Sequence, residues 1–417
     1  MNTFWNLPIL RLTATDRCRA AAPWFRWARA DDAASRLRRR ANAIERRKLG
    51  AEHPLEQAAA AMLHLVLAPV RNTLALFQWG RALRARYAVP YHRQWFQLLA
   101  CSVGLGLRPQ VYYYLRLHRS RAWDEVIDPS ELHHLQREIS PGGHEPLEDK
   151  LQFAGRANQA GLPVVPLLAV WRNGREESSA DAPSLCRSLF VKRARSYSSI
   201  GVMAFRYNPV TGAHHDDNRR YSLAELRELL RRESRDKVLL VQPRLCNHPD
   251  LSGFSPEALC NYRVITGRHP DGATELISAA LRFPLHSRVT CGERDLTLCA
   301  AVDLATGRLH RAEAKEVALG PLARHPVTAQ PIEGWPVPRW DDLRALAVRA
   351  HAAWAEFPFI GWDIADTSDG PVLLEGSPLW GGYLAQMSGS RPLGASAFPA
   401  IYSAHLKQRL LPEPAKA

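Results

Sequence analysis

The residues with the clearest chemical potential lie near the end of the chain. Asp363 stands inside the apolar run FIGWDIA and Glu375 inside VLLEG, twelve residues apart with one tight turn at Ser368-Asp369-Gly370 between them. Two strands of that length paired as a hairpin bring both carboxylates to one face, opposite each other. Charge inside apolar strands is costly unless it is neutralised. A hard divalent cation shared by two carboxylates neutralises it, and enzymes hold nucleotide magnesium in this way. One such carboxylate alone would read as a solvated edge-strand residue; two in register favour the metal.

Lys192 ends the apolar strand LFVK and is followed by RARSYSSIG. Small hydroxyl residues and Gly201 leave backbone N–H groups free to cradle phosphate, and the Lys adds a point charge. An ordinary hairpin turn accounts for the same residues equally well. The chain contains neither G-x-x-x-x-G-K-[ST] nor G-x-G-x-x-G. Lys150, in LEDK, falls in the first turn of a helix, where a cation opposes the helix dipole; a solvated Lys is the ordinary reading. Arg263, in NYRVIT, is a cation within a strand and calls for an anionic partner. VLLVQPRL (238–245) ends a strand in Gln242, Pro243 and Leu245, which suits a hinge beside a flat apolar slot. The histidines are scattered, with the pairs His133-His134 and His214-His215 expected at the surface. His325, in RHPVT, reads equally as a site residue and as a loop cap before Pro326.

The elements that must position these residues differ along the chain. Residues 1–50 read as a basic, partly disordered or helical segment, and 51–140 as a helical region. Its helices are Leu55–Ala68 and Asn72–Tyr87, separated by Pro69, then Tyr91–Leu105 and Gln110–His118. Ile139–Gly143 is a linker. Residues 145–240 form a first lobe with the helix Leu147–Ala160, the strands at Leu189–Lys192, Met203–Tyr207 and Lys237–Gln242, and a helix opened by the capping box Ser222-x-x-Glu225. Residues 241–410 form a second lobe with strands at Asn261–Thr266, Glu275–Phe283, Leu296–Leu304, Leu309–Val317, Phe359–Ala365 and Val372–Glu375, and a helix from Trp340 to about Phe357. Hairpins alternating with single helices argue for an α+β fold with antiparallel sheets rather than a doubly wound parallel one. The loops Val170–Pro183 and Cys246–Leu259 carry no readable code.

Composition narrows the function classes. The 417 residues are 46% hydrophobic and 23% charged, values of a globular chain rather than a disordered or coiled-coil one. No apolar run reaches the ~18–20 residues of a membrane-spanning helix, and no leader is visible. Net charge is +14, of which residues 1–50 supply +8 through eleven Arg and one Lys against Asp16, Asp31, Asp32 and Glu45. That segment suits contact with anionic lipid or an acidic partner, or a solvated tail. Seven cysteines without a C-x-x-C point to a reducing, cytoplasmic setting, with peripheral contact at the inner membrane face left open. Only seven of the 55 basic residues are Lys, so a Lys at a chemically suggestive position is a stronger candidate than usual.

In order, the motifs are Asp149-Lys150 before a helix and Gly161-Leu162-Pro163, a strand ending Val191-Lys192, a Ser-Ser-x-Gly loop, Leu-Val-Gln, Arg-Val-Ile-Thr, then Asp363 and Glu375. This set resembles the ATP-grasp superfamily. It is most similar to the sugar-transfer-associated ATP-grasp family through LRPQVYYYLRL, RVITG, HPVT, EGWPVPRWDDL and FIGWDIADTSDGPVLLEGS, over roughly Leu107–Gln408. The resemblance implies two α+β lobes sandwiching ATP, preceded by the helical region. It implies that Lys150 and Lys192 hold the nucleotide phosphates, with Ser198, Ser199 and Gly201 as a phosphate lid. Gln242, Pro243 and Leu245 would line the adenine slot. Arg263, with Lys192, would serve catalysis at the transferring phosphate, and Asp363, Glu375 and Ser377 would hold Mg2+. Two departures stand out: Glu375-Gly376-Ser377 replaces the family's Glu-x-Asn, and Arg193 replaces the Pro expected after Lys192.

The activity so implied is ATP- and Mg-dependent ligation. A carboxylate becomes an acyl phosphate and an amine or other nucleophile displaces the phosphate, in cell-surface polysaccharide or related secondary metabolism. Partners are then small-molecule carboxylates and amines, with no nucleic acid expected; the sequence does not set an oligomeric state. Two other readings compete. One is an ATP-binding protein without ligation. The other is a basic module for membrane or nucleic acid, with Trp95, Phe96 and Tyr112–Tyr114 as interface aromatics or as packing between the helical region and the first lobe.

Overall fold

The computed structural model of the protein describes residues 30–48, 54–120, 122–178, 185–195, 201–285, 297–387 and 389–410. Helices dominate before residue 160. They are α1 (Ala33–Lys48), α2 (Pro54–Tyr87), α3 (Tyr91–Leu99, prolonged by a π-helical turn Ala100–Gly104), α4 (Pro109–Tyr114), α5 (Pro129–Ile139), α6 (Glu145–Glu148) and α7 (Lys150–Gln159). Two expectations are corrected here. Pro69 does not divide two helices: α2 runs through it for 34 residues. The missing N–H costs one intrahelical bond, and packing of Ala61, Ala68, Ala75 and Leu83 into the interior outweighs it. Conversely, the single helix expected at Leu147–Ala160 breaks at Asp149, which leaves helical geometry (φ −82°, ψ 108°) and caps α7 by accepting from the N–H groups of Leu151 and Gln152.

The first sheet contains β1 (Ala169–Arg172), β2 (Arg175–Ser178), β3 (Leu189–Arg193), β4 (Met203–Asn208), β5 (Ala213–His215), β6 (Arg220–Tyr221) and, after α8 (Leu223–Glu233), β7 (Leu239–Pro243). Its spatial order is β2-β1-β7-β3-β4-β5-β6. The hairpin β1–β2 lies where a codeless loop was expected. Leu189, Val191, Phe205, Leu226, Leu230 and Val241 form its core under α8, and α8 opens with the Ser222–Glu225 capping box.

The second sheet contains β8 (Asn261–Arg268), β9 (Thr274–Pro284), β10 (Thr297–Val302), β11 (Leu309–Glu313) and, after α9 (Trp340–Ala353), β12 (Phe359–Thr367) and β13 (Gly370–Ser377). Its order is β11-β10-β9-β8-β12-β13. Every strand pairing within the two sheets is antiparallel. One face packs on α9 through Tyr262, Val264, Trp362 and Ile364. The other meets α1, α5 and α11 (Phe398–Leu410, after the short α10, Gly382–Gln386) through Ile265, Ile277 and Phe359. Tyr112 and Tyr113, weighed as interface aromatics, are fully buried in the helical core of α2–α4. No described helix is long and apolar enough to cross a membrane.

Candidate active site

Cross-strand register builds the centre of the site. Asp363 on β12 lies directly opposite Glu375 on β13 and directly opposite Arg263 on β8, so three charged side chains share one row of one sheet face. Arg263 grips Asp363 side-on, with Nε donating to Oδ1 at 2.7 Å and a terminal nitrogen to Oδ2 at 2.9 Å. Arg282 on β9 adds a second guanidinium 3.8 Å from Oδ1. Burial pushes the Asp363 carboxyl up, but the two arginines outweigh it and hold the group below its usual range. Arg282 is a residue that the sequence reading passed over. A cation within the strand ALRFP carries the same signal that singled out Arg263.

The first sheet supplies the facing cations. Lys150, at the first position of α7, places Nζ 3.3 Å from Glu375 Oε2, and its N–H donates to the Ala194 carbonyl just past β3. Asp149 beside it accepts from Arg195 at 2.9 Å, tying the start of α7 to the chain leaving β3. Lys192 lies on β3 opposite Leu240. It is 9% exposed and forms no ion pair with a described residue. Burial lowers its pKa to about 8; Lys150 pushes the same way, while Glu375 and Asp363 oppose. An ammonium buried in this way favours an additional anion beside it.

The remaining candidates fall around this centre. Gly201 has φ +75°, and a Cβ there would lie 2.5 Å from Arg193 Nε, so only glycine suits the turn beside that guanidinium. Ser198 and Ser199 lie outside the described residues. Gln242 is buried on β7, its amide donating to the Val165 carbonyl at 3.4 Å. The preceding residue, Val164, bridges to Leu373 on β13, which puts Gln242 one connection from the Glu375 strand. Pro243 pairs with Leu189, and Leu245 is half-buried beyond the strand. Ser377 is on the Glu375 side of β13, two residues on.

Whether the carboxylates suit a divalent cation can be tested on their contacts. Asp363 and Glu375 are direct cross-strand partners on one sheet face, close enough for one cation to contact both. Each Asp363 oxygen keeps a lone pair beyond its bond to Arg263. Glu375 is partly exposed and open to a ligand. Two carboxylates plus the Ser377 hydroxyl therefore fit magnesium, which takes the rest of its shell from water and phosphate. Among the described residues no group of three or more His, Cys, Asp or Glu assembles, so such an ion would depend on those outside oxygens.

Other candidates resolve as structural. His325 is a loop cap: Nδ1 accepts from the N–H groups of Val327 and Thr328, and Nε2 lies 3.1 Å from the Pro284 carbonyl. His214, expected at the surface, is fully buried instead, because its Nε2 reaches the otherwise interior carbonyls of Leu185 and Arg187. Cys299 lies across from Arg282 on the site face. Burial pushes its thiol up to about 11 despite Arg282, Lys315 and Arg263 nearby, so it is no nucleophile at neutral pH.

Solved structures of similar fold include a D-Ala:D-Ser ligase from Enterococcus faecalis (12% identity, 62% of this chain and 61% of that one, TM-score 0.35). They also include a biotin carboxylase from Campylobacter jejuni (10%, 64% and 48%, TM-score 0.38) and an L-amino acid ligase from Bacillus licheniformis (12%, 68% and 57%, TM-score 0.37). The chain spans about half to three-fifths of the length of these structures. No curated protein matches it in sequence. The profile of one family covers residues 133–397, well over half of the chain and every residue of the site, and the protein belongs to that family, the sugar-transfer associated ATP-grasp proteins.

Proposed function

We propose that the protein is an ATP- and Mg-dependent ligase that activates a carboxylate as an acyl phosphate for attack by an amine or another nucleophile. The observation that carries the reading is Lys192: a buried ammonium on one sheet, with no ion pair among the described residues, beside the Asp363–Glu375 pair on the other. Phosphate oxygens meet its demand for an anion. Lys150 is the second phosphate cation, released from Glu375 when a nucleotide enters. Gln242, Pro243 and Leu245 line the base slot, and Gly201 with Ser198 and Ser199 closes over the phosphates. Asp363, Glu375 and Ser377 would hold magnesium, which supplies charge neutralisation and alignment of the phosphates. Arg263, fixed by Asp363, offers positive charge where the transferring phosphoryl group accumulates negative charge. Phosphoryl transfer needs positioning and electrostatics rather than a covalent residue, which agrees with the unreactive Cys299. The place in saccharide metabolism rests on the family's description alone, as does a cytoplasmic setting on the cysteine content.

A second reading is favoured by one observation each from sequence and geometry: Ser377 replaces the usual Asn, and both Asp363 oxygens are engaged by Arg263. On that reading the protein binds ATP without ligating. Calorimetry with ATP and magnesium tests the site. Micromolar binding is expected, weakened at least about tenfold (about 1.4 kcal/mol) in Lys192→Ala and in Glu375→Gln. Absence of binding at millimolar ATP overturns both readings. Product analysis with panels of carboxylates and amines separates them: one coupled product per ADP for the ligase, none for the second reading.

A further inference from the structure

The helix α2 buries Ala61, Ala68, Ala75 and Leu83 but also turns large apolar side chains to the outside. Its inward side carries polar groups: His64 contacts the Ser102 carbonyl at 2.9 Å, Arg71 contacts His64 at 2.9 Å, and Asn72 donates to the Ser102 hydroxyl at 2.8 Å. Its outward side carries Met62 (62% exposed), Val66 (66%), Val70 (52%) and Phe77 (82%), with Phe96 of α3 (65%) at the same margin. These positions recur at helical spacing and form one stripe. Between Glu56 and Arg81 the only charged side chain of α2 is the buried Arg71. From Met62 to Phe77 the stripe runs about 22 Å at ~1.5 Å per residue, a contiguous exposed apolar face of the kind that marks an interaction site.

The exposed charge at one end of the stripe is basic. From residue 57 through 123 the chain holds nine Arg and neither Asp nor Glu. Arg81, Arg84, Arg86 and Arg93 are exposed at the end of the stripe where Phe77 and Phe96 stand. An apolar stripe with arginines at one end, on a helix not long and apolar enough to cross a membrane, suits contact with the surface of an anionic bilayer. Anionic headgroups attract the arginines, while the acyl boundary takes the apolar side chains. We propose that the outer face of α2 docks the protein on an anionic lipid bilayer. The assignment is independent of the nucleotide site, which lies on other elements. The buried Tyr112 and Tyr113 take no part in it.

The test uses the full chain and vesicles of phosphatidylcholine alone or mixed with phosphatidylglycerol. The wild type is expected to sediment with the mixed vesicles and to be released by salt. Val66→Asp and Phe77→Asp, both at exposed positions, are expected to weaken that partitioning by about tenfold or more with elution volume and ATP binding unchanged. Three results overturn the proposal. One is failure of the wild type to sediment with mixed vesicles. Another is a wild-type dimer that Phe77→Asp converts to a monomer, which makes the face an interface between copies. The third is wild-type partitioning by both variants together with its loss on removal of residues 1–29, which assigns lipid contact to the tail.

Discussion

Lys192 is held at a cost to the fold, and the cost can be measured. Its pKa falls from an ordinary 10.5 to about 8, with burial as the largest cause. At about 1.36 kcal/mol per pH unit, the charged form is disfavoured in the folded protein by roughly 3 kcal/mol. Replacing Lys192 by Met keeps the length and apolar stem and removes the charge. At pH 7 the lysine is protonated both folded and unfolded, so the variant escapes the whole penalty and should be more stable by up to roughly 3 kcal/mol. Between pH 8 and 10.5 the unfolded chain binds a proton that the folded one does not, so wild-type stability rises with pH. At pH 9.5 the penalty falls to roughly 1.4 kcal/mol, the cost of deprotonating the unfolded lysine.

The assay is urea unfolding of wild type and Lys192→Met at pH 7 and pH 9.5 without nucleotide, beside ATP calorimetry. The expected outcome is a higher midpoint for the variant at pH 7, a smaller advantage at pH 9.5, and loss of ATP binding. Stability that is equal or lower at both pH values would refute the account of Lys192 as a buried cation, with no ion pair among the described residues, kept for a ligand.

Three further outcomes follow from the same geometry. ATP binding near pH 8.5 should take up a proton, because phosphate raises the Lys192 pKa again; calorimetry in buffers of different ionisation enthalpy reads the uptake, and its absence at that pH counts against Lys192 as a phosphate ligand. Gly201→Ala places a side chain at φ +75° and against Arg193, so it should weaken ATP binding, with Arg193→Ala in the same chain restoring part of the loss; no loss in the single variant would show that the turn is not needed. Arg263→Leu leaves Asp363 buried without its side-on partner and should cost about 3–5 kcal/mol, whereas adding Asp363→Asn should recover a large part, a coupling that a double-mutant cycle in urea measures.

What the sequence made legible was what single strands and single turns decide. Asp363 and Glu375 stand opposite each other because one short turn separates them, and that turn left little choice of register. Their partner Arg263 comes from a strand one hundred residues away; its type announced a need for an anion, and only the sheet order named Asp363. The burial of Lys192 was not legible, since a strand-end Lys is solvated or interior according to what the second sheet places over it. Local signals also misled. Pro69 is a helix breaker that packing overrode. The β1–β2 hairpin carried the dipeptide Asn173-Gly174, both residues at positive φ, a strong hairpin signal ahead of a second strand, Arg175–Ser178, that is wholly polar.

The charges of the site show why two sheets are needed. Lys150, Lys192, Arg263 and Arg282 oppose Asp363 and Glu375, four cations against two anions. Within the second sheet alone, two arginines balance two carboxylates, and that half is neutral. The first sheet and α7 bring the excess, and they bring it as lysines. A lysine is a compact, mobile charge whose pKa moves with burial, whereas the arginines are always charged and are fixed by their fork on Asp363. The two surplus positive charges match the charge of about −2 that a magnesium–nucleoside triphosphate carries. On the proposed function, such a ligand brings the site to neutrality. Before that, Lys150 leans on Glu375 and Lys192 stays buried without an ion pair among described residues. The group whose burial costs stability and the recognition element of the proposed function are the same ammonium.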